Sequence, residues 1–263
     1  MVKLVINGDD FGMTDGICRA IRDLFDQGAI SSTSVMVAAP GAPERSRRWG
    51  LRQLHATAGV HLQLTDGAPV LQSPEARNLV DPTNGKFRSD IPRTLSNLVL
   101  QEWRAQIDLA AELIGGAPSH LDSHHGVHHL PEFVDLFIEL ATEYKLPVRG
   151  GSKIVSERMQ KNHIAGTDEV LFDWTGRDLG ISNLELQLRS ASNALGASGS
   201  LELVTHPAYC DAELMAISSL NTARDGDRIA LQELAASDWL NLHGFVLVSY
   251  SQIGSDKITT TSS

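Results

Sequence analysis

Apolar positions along the chain recur with two different periods. Short runs at Lys3–Asn7, Ile30–Ala38, Leu201–Thr205 and Phe245–Ser249 have the length and branched content of buried strands. Other stretches place apolar residues three and four apart. Ile17, Ala20, Ile21, Leu24 and Phe25 mark a first helix, with Thr14 as its cap and Gly28 as its stop. Leu95, Leu98, Val99, Trp103, Ile107, Ala110 and Ile114 mark the clearest helix, ended by Gly115-Gly116. Phe133, Phe137, Leu140, Ala141 and Tyr144 share one face of a third, over Glu132–Tyr144, which Pro131 opens. Asn183–Leu195 and Ile229–Leu242 read as helices too, and Gly59–Gly67, His120–Asp122 and Leu146–Arg149 as further strands. No steady period runs through 39–54, 67–93 or 150–180. The long segment 67–93 follows a strand end and is expected to cover a pocket. The tail from Ser251 is polar and expected to be loose. Alternating strands and helices predict an α/β fold with parallel strands. We expect one domain over 1–263: a distorted (β/α) barrel, TIM-barrel-like, with loop insertions near 67–93 and 150–180.

Ionisable groups gather where the strands end. Asp9 and Asp10 close the first, His61 lies on the third, and His206 follows Leu201–Thr205. Five of the ten histidines fall between 120 and 129: His120, His124, His125, His128 and His129, with Asp122 among them. A packed core has little use for so many imidazoles, because each brings two nitrogens that need partners. In a barrel, loops from separate strand ends converge on one mouth, so these groups favour the barrel over an open sheet. A carboxylate and two or three imidazoles form a site for one divalent metal ion. Adjacent carboxylates repel unless a cation or shared proton offsets them. One of the pair can serve as ligand and the other as base, which is the chemistry of amide or ester hydrolysis. Arg149, ending the Leu146–Arg149 run, reads either as a partner for an anion or carboxylate or as a surface arginine, and Asp173, Trp174 and Arg177 are candidates for a substrate rim.

Composition narrows the partners. A net charge of −10 argues against nucleic acid or an anionic membrane as partner. The two cysteines, Cys18 and Cys210, provide no disulfide framework, and the N-terminus reaches polar residues at once. A cytoplasmic setting is expected. There is no G-x-G-x-x-G or G-K-[ST] loop for phosphate and no G-x-S-x-G elbow.

The sequence resembles the YdjC-like carbohydrate deacetylases, the group of the chitooligosaccharide deacetylases. The resemblance rests on Asn7-Gly8-Asp9-Asp10-Phe11-Gly12, Gly59-Val60-His61-Leu62-Gln63-Leu64-Thr65 and His120-Leu121-Asp122-Ser123-His124-His125-Gly126-Val127-His128. Thr205-His206-Pro207-Ala208-Tyr209-Cys210-Asp211 looks like a fourth motif. The resemblance implies removal of acetyl from an N-acetylated sugar by a barrel that is often a homodimer. It implies one divalent metal ion (Zn, Mg, Mn, Co or Ni) on Asp10, His61 and His124. Asp9 would be the general base and His206 the general acid. His125 is expected to stay off the metal. Gly8, Gly126, His129 and Ala208 depart from the common family pattern, and Gly126 bears on the substrate side of the pocket. Three rival readings stand beside this one: hydrolysis of another amide or ester, a metal-dependent isomerase or lyase, and a sugar-binding protein without turnover.

Overall fold

A computed structural model describes residues 1–254 except 176, 178 and 197. Its frame is a parallel sheet in the order β4-β3-β2-β1-β6-β5, with β7 also pairing β1. The strands are β1 (Val2–Phe11), β2 (Ser32–Val35), β3 (Ala58–Leu62), β4 (Leu121–Ser123), β5 (Glu169–Leu171), β6 (Ser200–Thr205) and β7 (Phe245–Leu247). β1 is the axis. Its first residues, Val2–Leu4, pair with β7, Lys3–Gly8 with β6, and Asn7–Phe11 with β2. The sheet curls into the distorted (β/α) barrel that the alternating pattern predicts. All its named pairs are parallel, so every strand delivers its C-terminal end to the same side.

Helices cover the outside. They are α1 (Asp15–Asp26), α2 (Ala42–Arg48), α3 (Ser96–Ile114), α4 (Val134–Tyr144), α5 (Lys153–Lys161), α6 (Gly180–Leu195), α7 (Ala212–Ile217), α8 (Ala223–Ala236), α9 (Trp239–Leu242) and α10 (Tyr250–Gly254). α1 starts where expected: the Thr14 hydroxyl accepts from the Ile17 amide at 3.2 Å. Its Ile17, Ile21 and Leu24 are fully buried, as the spacing requires. In α3, Trp103, Ile107 and Ala110 are fully buried, and the Trp103 indole donates to the Gln63 carbonyl at 3.3 Å. No helix is long and apolar enough to cross a membrane among the described residues.

Several segments differ from the reading by period alone. The stretch 150–180 holds α5, capped by Ser152, and the short strand β5. β5 has three residues, too few for a period, and α5 buries only Val155 and Met159. Trp174 is not on a rim: it is buried, and its indole donates to the Gly180 carbonyl at 3.4 Å. The Ile229–Leu242 pattern spans two helices, α8 and α9, broken at Ser237 and Asp238. Leu146–Arg149 contributes a single bridge, Leu121 to Val148, rather than a strand. The segment 67–93 is long and largely irregular, yet it does not cover the pocket. Glu102 of α3 accepts from the Val70 and Leu71 amides at 3.0 and 2.8 Å, and Leu79 and Phe87 are buried. A carboxylate on α3 and two apolar anchors hold the segment to the outer layer. Of the tail, 251–254 lie in α10 and the rest lies outside the described residues.

Candidate functional site

At the C-terminal ends of the strands lies a cavity of about 570 Å³. Asp9, Asp10, His61, His124 and His206 all line it, although they come from four separate parts of the chain. Side chains alternate along a strand, so adjacent Asp9 and Asp10 should face opposite ways. A bulge removes the conflict. Pairing of β1 with β2 shifts register between Gly8 and Phe11, and Asp10 takes a φ of 70°. Both carboxylates therefore meet the same cavity.

Asp10 Oδ1 lies 3.3 Å from His61 Nε2 and 3.2 Å from His124 Nδ1. None of these approaches has the geometry of a hydrogen bond, and Asp10 Oδ1 is buried without a partner among the described residues. The spacing suits the edges of a coordination shell: ligands at about 2.0–2.1 Å from a metal are about 3.0–3.4 Å apart. The outer nitrogens are already committed. His61 Nδ1 lies 2.7 Å from Asp122 Oδ1, so donation to that carboxylate turns the Nε2 lone pair towards Asp10. His124 Nε2 lies 3.3 Å from Asp66 Oδ2, which does the same for its Nδ1.

Charge points the same way. Asp9, Asp10, Asp122 and Glu202 are buried around Arg149 and Arg224. Four carboxylates against two guanidiniums leave an excess of negative charge, which protons on His61 and His124 or a dication in their place can offset. Burial opposes a charged imidazole at His61, yet Asp122 and Asp9 outweigh it and raise its pKa to about 10. Burial likewise favours a protonated Asp10, but Arg224 and His124 prevail and hold it well below the usual carboxylate range.

Two other clusters are close enough to hold an ion. In one, Asp66 and His125 are largely exposed. In the other, Arg149 already neutralises both carboxylates, at 2.7 Å from Asp9 and 2.9 Å from Asp122. His125 adopts a φ of 53° that turns it to Thr65, whose hydroxyl is 3.0 Å from its Nδ1. It therefore stands outside the group formed by Asp10, His61 and His124.

Asp9 and His206 flank that group. Arg149 donates to both oxygens of Asp9, at 2.7 and 2.8 Å, and Asn7 donates at 2.6 Å. Against the cost of burial, Arg149 and then His61 hold Asp9 below its ordinary pKa. His206 Nδ1 is 3.0 Å from the Thr175 hydroxyl, and Asp227 accepts from the His206 amide at 3.0 Å. Its Nε2 faces Asp9 Oδ2 at 3.9 Å. Burial lowers the His206 pKa, with Asp10 and Asp9 opposing the shift in part.

The model of the family described as YdjC-like protein matches residues 3–241. The chain belongs to the YdjC-like family. A carbohydrate deacetylase of Thermoanaerobacter pseudethanolicus is 30% identical to this YdjC-like chain over 95% of it and 99% of the relative. A chitooligosaccharide deacetylase of Yersinia pestis is 31% identical over 81% and 84% of the two chains. A crystal structure from Enterococcus faecalis, described as a candidate cellobiose-phosphate cleavage protein, matches with a TM-score of 0.82. That chain is 25% identical, and the match covers 95% of this one and 98% of the other.

Sequence reasoning missed much of what surrounds the YdjC-like motifs. Arg149 was open to a surface reading, yet it is buried and binds Asp9, Asp122 and Glu202 together. Arg224 escaped notice, although it donates to Asp10 Oδ2 at 2.7 Å. It comes from the first turn of α8, ahead of the Ile229–Leu242 stretch that the apolar pattern marks. Phe172 also lines the cavity, whereas its neighbours Asp173 and Trp174 do not.

Proposed function

We propose that this chain removes the acetyl group from an N-acetylated sugar, as a hydrolase that depends on one divalent metal ion. The observation that carries the reading is the meeting of Asp10, His61 and His124 within 3.3 Å, with Asp9 and His206 beside them in one cavity. The relatives named as carbohydrate and chitooligosaccharide deacetylases support the same substrate class. Asp10, His61 and His124 would hold the ion. When bound, it would polarise the acetyl carbonyl and ease loss of a proton from water.

The chain's own groups supply the rest. Asp9 accepts the proton of the attacking water. Arg149 keeps that carboxylate ionised and fixes its plane through two parallel hydrogen bonds. An amide nitrogen cannot leave as an anion, so it needs a proton as the C–N bond breaks. His206 Nε2 donates it, with the ring orientation set by Thr175 at Nδ1. Acetate and a free amine on the sugar are the products. The family resemblance also supports a homodimer, which sedimentation tests, and the two free cysteines support a cytoplasmic setting, which fractionation tests.

Acetate release by Asp9→Asn and His206→Ala tests the division of labour. Each change should cost about 10²–10⁴-fold in rate, with metal content kept. His206→Ala should hurt an N-acetyl substrate far more than an activated acetyl ester, whose leaving group needs no proton. Equal losses on both substrates would remove His206 from the acid role. Near-normal turnover by Asp9→Asn would pass the base role to another group.

A further inference from the structure

The guanidinium of Arg149 is gripped on two edges. Nη1 and Nη2 donate to the oxygens of Asp9 at 2.8 and 2.7 Å. Nε donates to Glu202 Oε1 at 2.9 Å, and Nη2 lies 2.8 Å from the same oxygen. Glu202 stands on β6 opposite Val5 of β1 and is fully buried. Its other oxygen accepts from the hydroxyl of Tyr250, the first residue of α10. Tyr250 is fully buried too, and both residues stand behind the cavity wall rather than on it. Burial and then Glu202 hold the Tyr250 phenol well above its ordinary pKa, so it stays a donor.

Charge balance does not explain Glu202. Arg149 already meets two other carboxylates, at 2.7 Å from Asp9 and 2.9 Å from Asp122. A third buried carboxylate costs desolvation that an apolar side chain on β6 would not. What Glu202 adds is direction. Arg149 follows a single bridge at Val148 and carries its planar fork on a long flexible stem. Held at one edge alone, that fork could pivot on the Asp9 pair. The Nε contact on the second edge fixes its plane. Tyr250 is fixed in its turn: His120 stacks on its ring with planes at 10°, and Val5, Val248 and Ile253 pack with it.

We propose that Tyr250 and Glu202 are positioning residues for the reaction: the Tyr250 hydroxyl fixes Glu202, Glu202 fixes the plane of Arg149, and Arg149 aims Asp9 at the attacking water. Neither touches substrate or the groups that would hold the metal. The last helix among the described residues thereby serves the first strand's motif, across 241 positions of chain from Tyr250 to Asp9. The proposal rests on the deacetylase reading, in which Asp9 is the base.

Tyr250→Phe removes the one hydroxyl and leaves the ring in place. Acetate release from N,N′-diacetylchitobiose should fall about tenfold in kcat at equal metal content, with KM unmoved. The same change made in Asp9→Asn should cost almost nothing further, because no base is left to aim, whereas a general loosening of the site would cost the same in both backgrounds. The Nε–H signal of Arg149 supplies a readout without turnover, by NMR of protein labelled with ¹⁵N-arginine and assigned by its loss in Arg149→Lys. That proton should exchange slowly with water in the wild type and in Asp9→Asn, and faster in Tyr250→Phe. Equal exchange in the wild type and Tyr250→Phe would overturn the proposal, as would a full tenfold further loss in the Asp9→Asn background. If the wild type releases no acetate while the exchange difference holds, the deacetylase reading falls and the hold of Tyr250 and Glu202 on Arg149 stands.

Discussion

His61 illustrates how a single side chain acquires its role from what surrounds it. Its Nδ1 is tied to Asp122 at 2.7 Å, so its Nε2 is left to face Asp10. Removing the buried ring should remove a ligand while the pairing of β3 with its neighbours is kept. His61→Ala and His124→Ala are expected to lose metal by elemental analysis and to keep the circular dichroism spectrum of the wild type. Full occupancy in both variants would contradict the assignment. His129 makes a different point, because its pKa is lowered from 6.5 to about 4. A base whose folded pKa is depressed binds its proton first in the unfolded chain. The folded state is therefore favoured fully above 6.5 and loses that advantage as pH falls towards 4. Urea midpoints should drop across this window, and His129→Gln should flatten part of the drop. An identical slope in the variant would place the acid sensitivity elsewhere.

At the scale of the element, two departures from regular structure shape the site. The bulge in β1 brings Asp9 and Asp10 to one side, as the positive φ of Asp10 shows. A motif with two adjacent carboxylates suggested a shared pocket, but the backbone device that allows it has no sequence signal of its own. The second departure is the close approach at Gly59 in β3. A Cβ there would lie 2.3 Å from the His120 ring, which itself stacks on Tyr250 of α10 with centroids 4.0 Å apart. Tyr250 in turn donates to Glu202, and Glu202 holds Arg149. Gly59→Ala should therefore destabilise the fold by about 1–3 kcal/mol, as overpacking does, with a lower melting temperature as the readout. An unchanged melting temperature would show that His120 has room to move.

For the whole molecule, what could be read from the sequence was local. Helices α1 and α3 and strands β1 and β6 announce themselves by period and caps, and their alternation leads to the barrel. The ligand-like residues stood out because histidines and aspartates were crowded at strand ends. What could not be read was the pairing across distance. Arg149 reaches Asp9 across 140 positions, and Arg224 reaches Asp10 across 214. No local pattern encodes such contacts, and an arginine on α8 carries no mark of burial. The lid expected at 67–93 failed for a related reason: Glu102, a single buried carboxylate on another helix, ties down its backbone. The barrel thus surrounds its strand ends with buried carboxylates in excess of buried arginines, and the account depends on a cation balancing them. The most direct measurement is acetate release from N,N′-diacetylchitobiose by the protein as purified, after chelation, and after reloading with zinc, magnesium, manganese, cobalt or nickel. The account predicts that chelation abolishes release, and that at least one metal restores it at one ion per chain. Undiminished release from protein shown to be free of metal would contradict it.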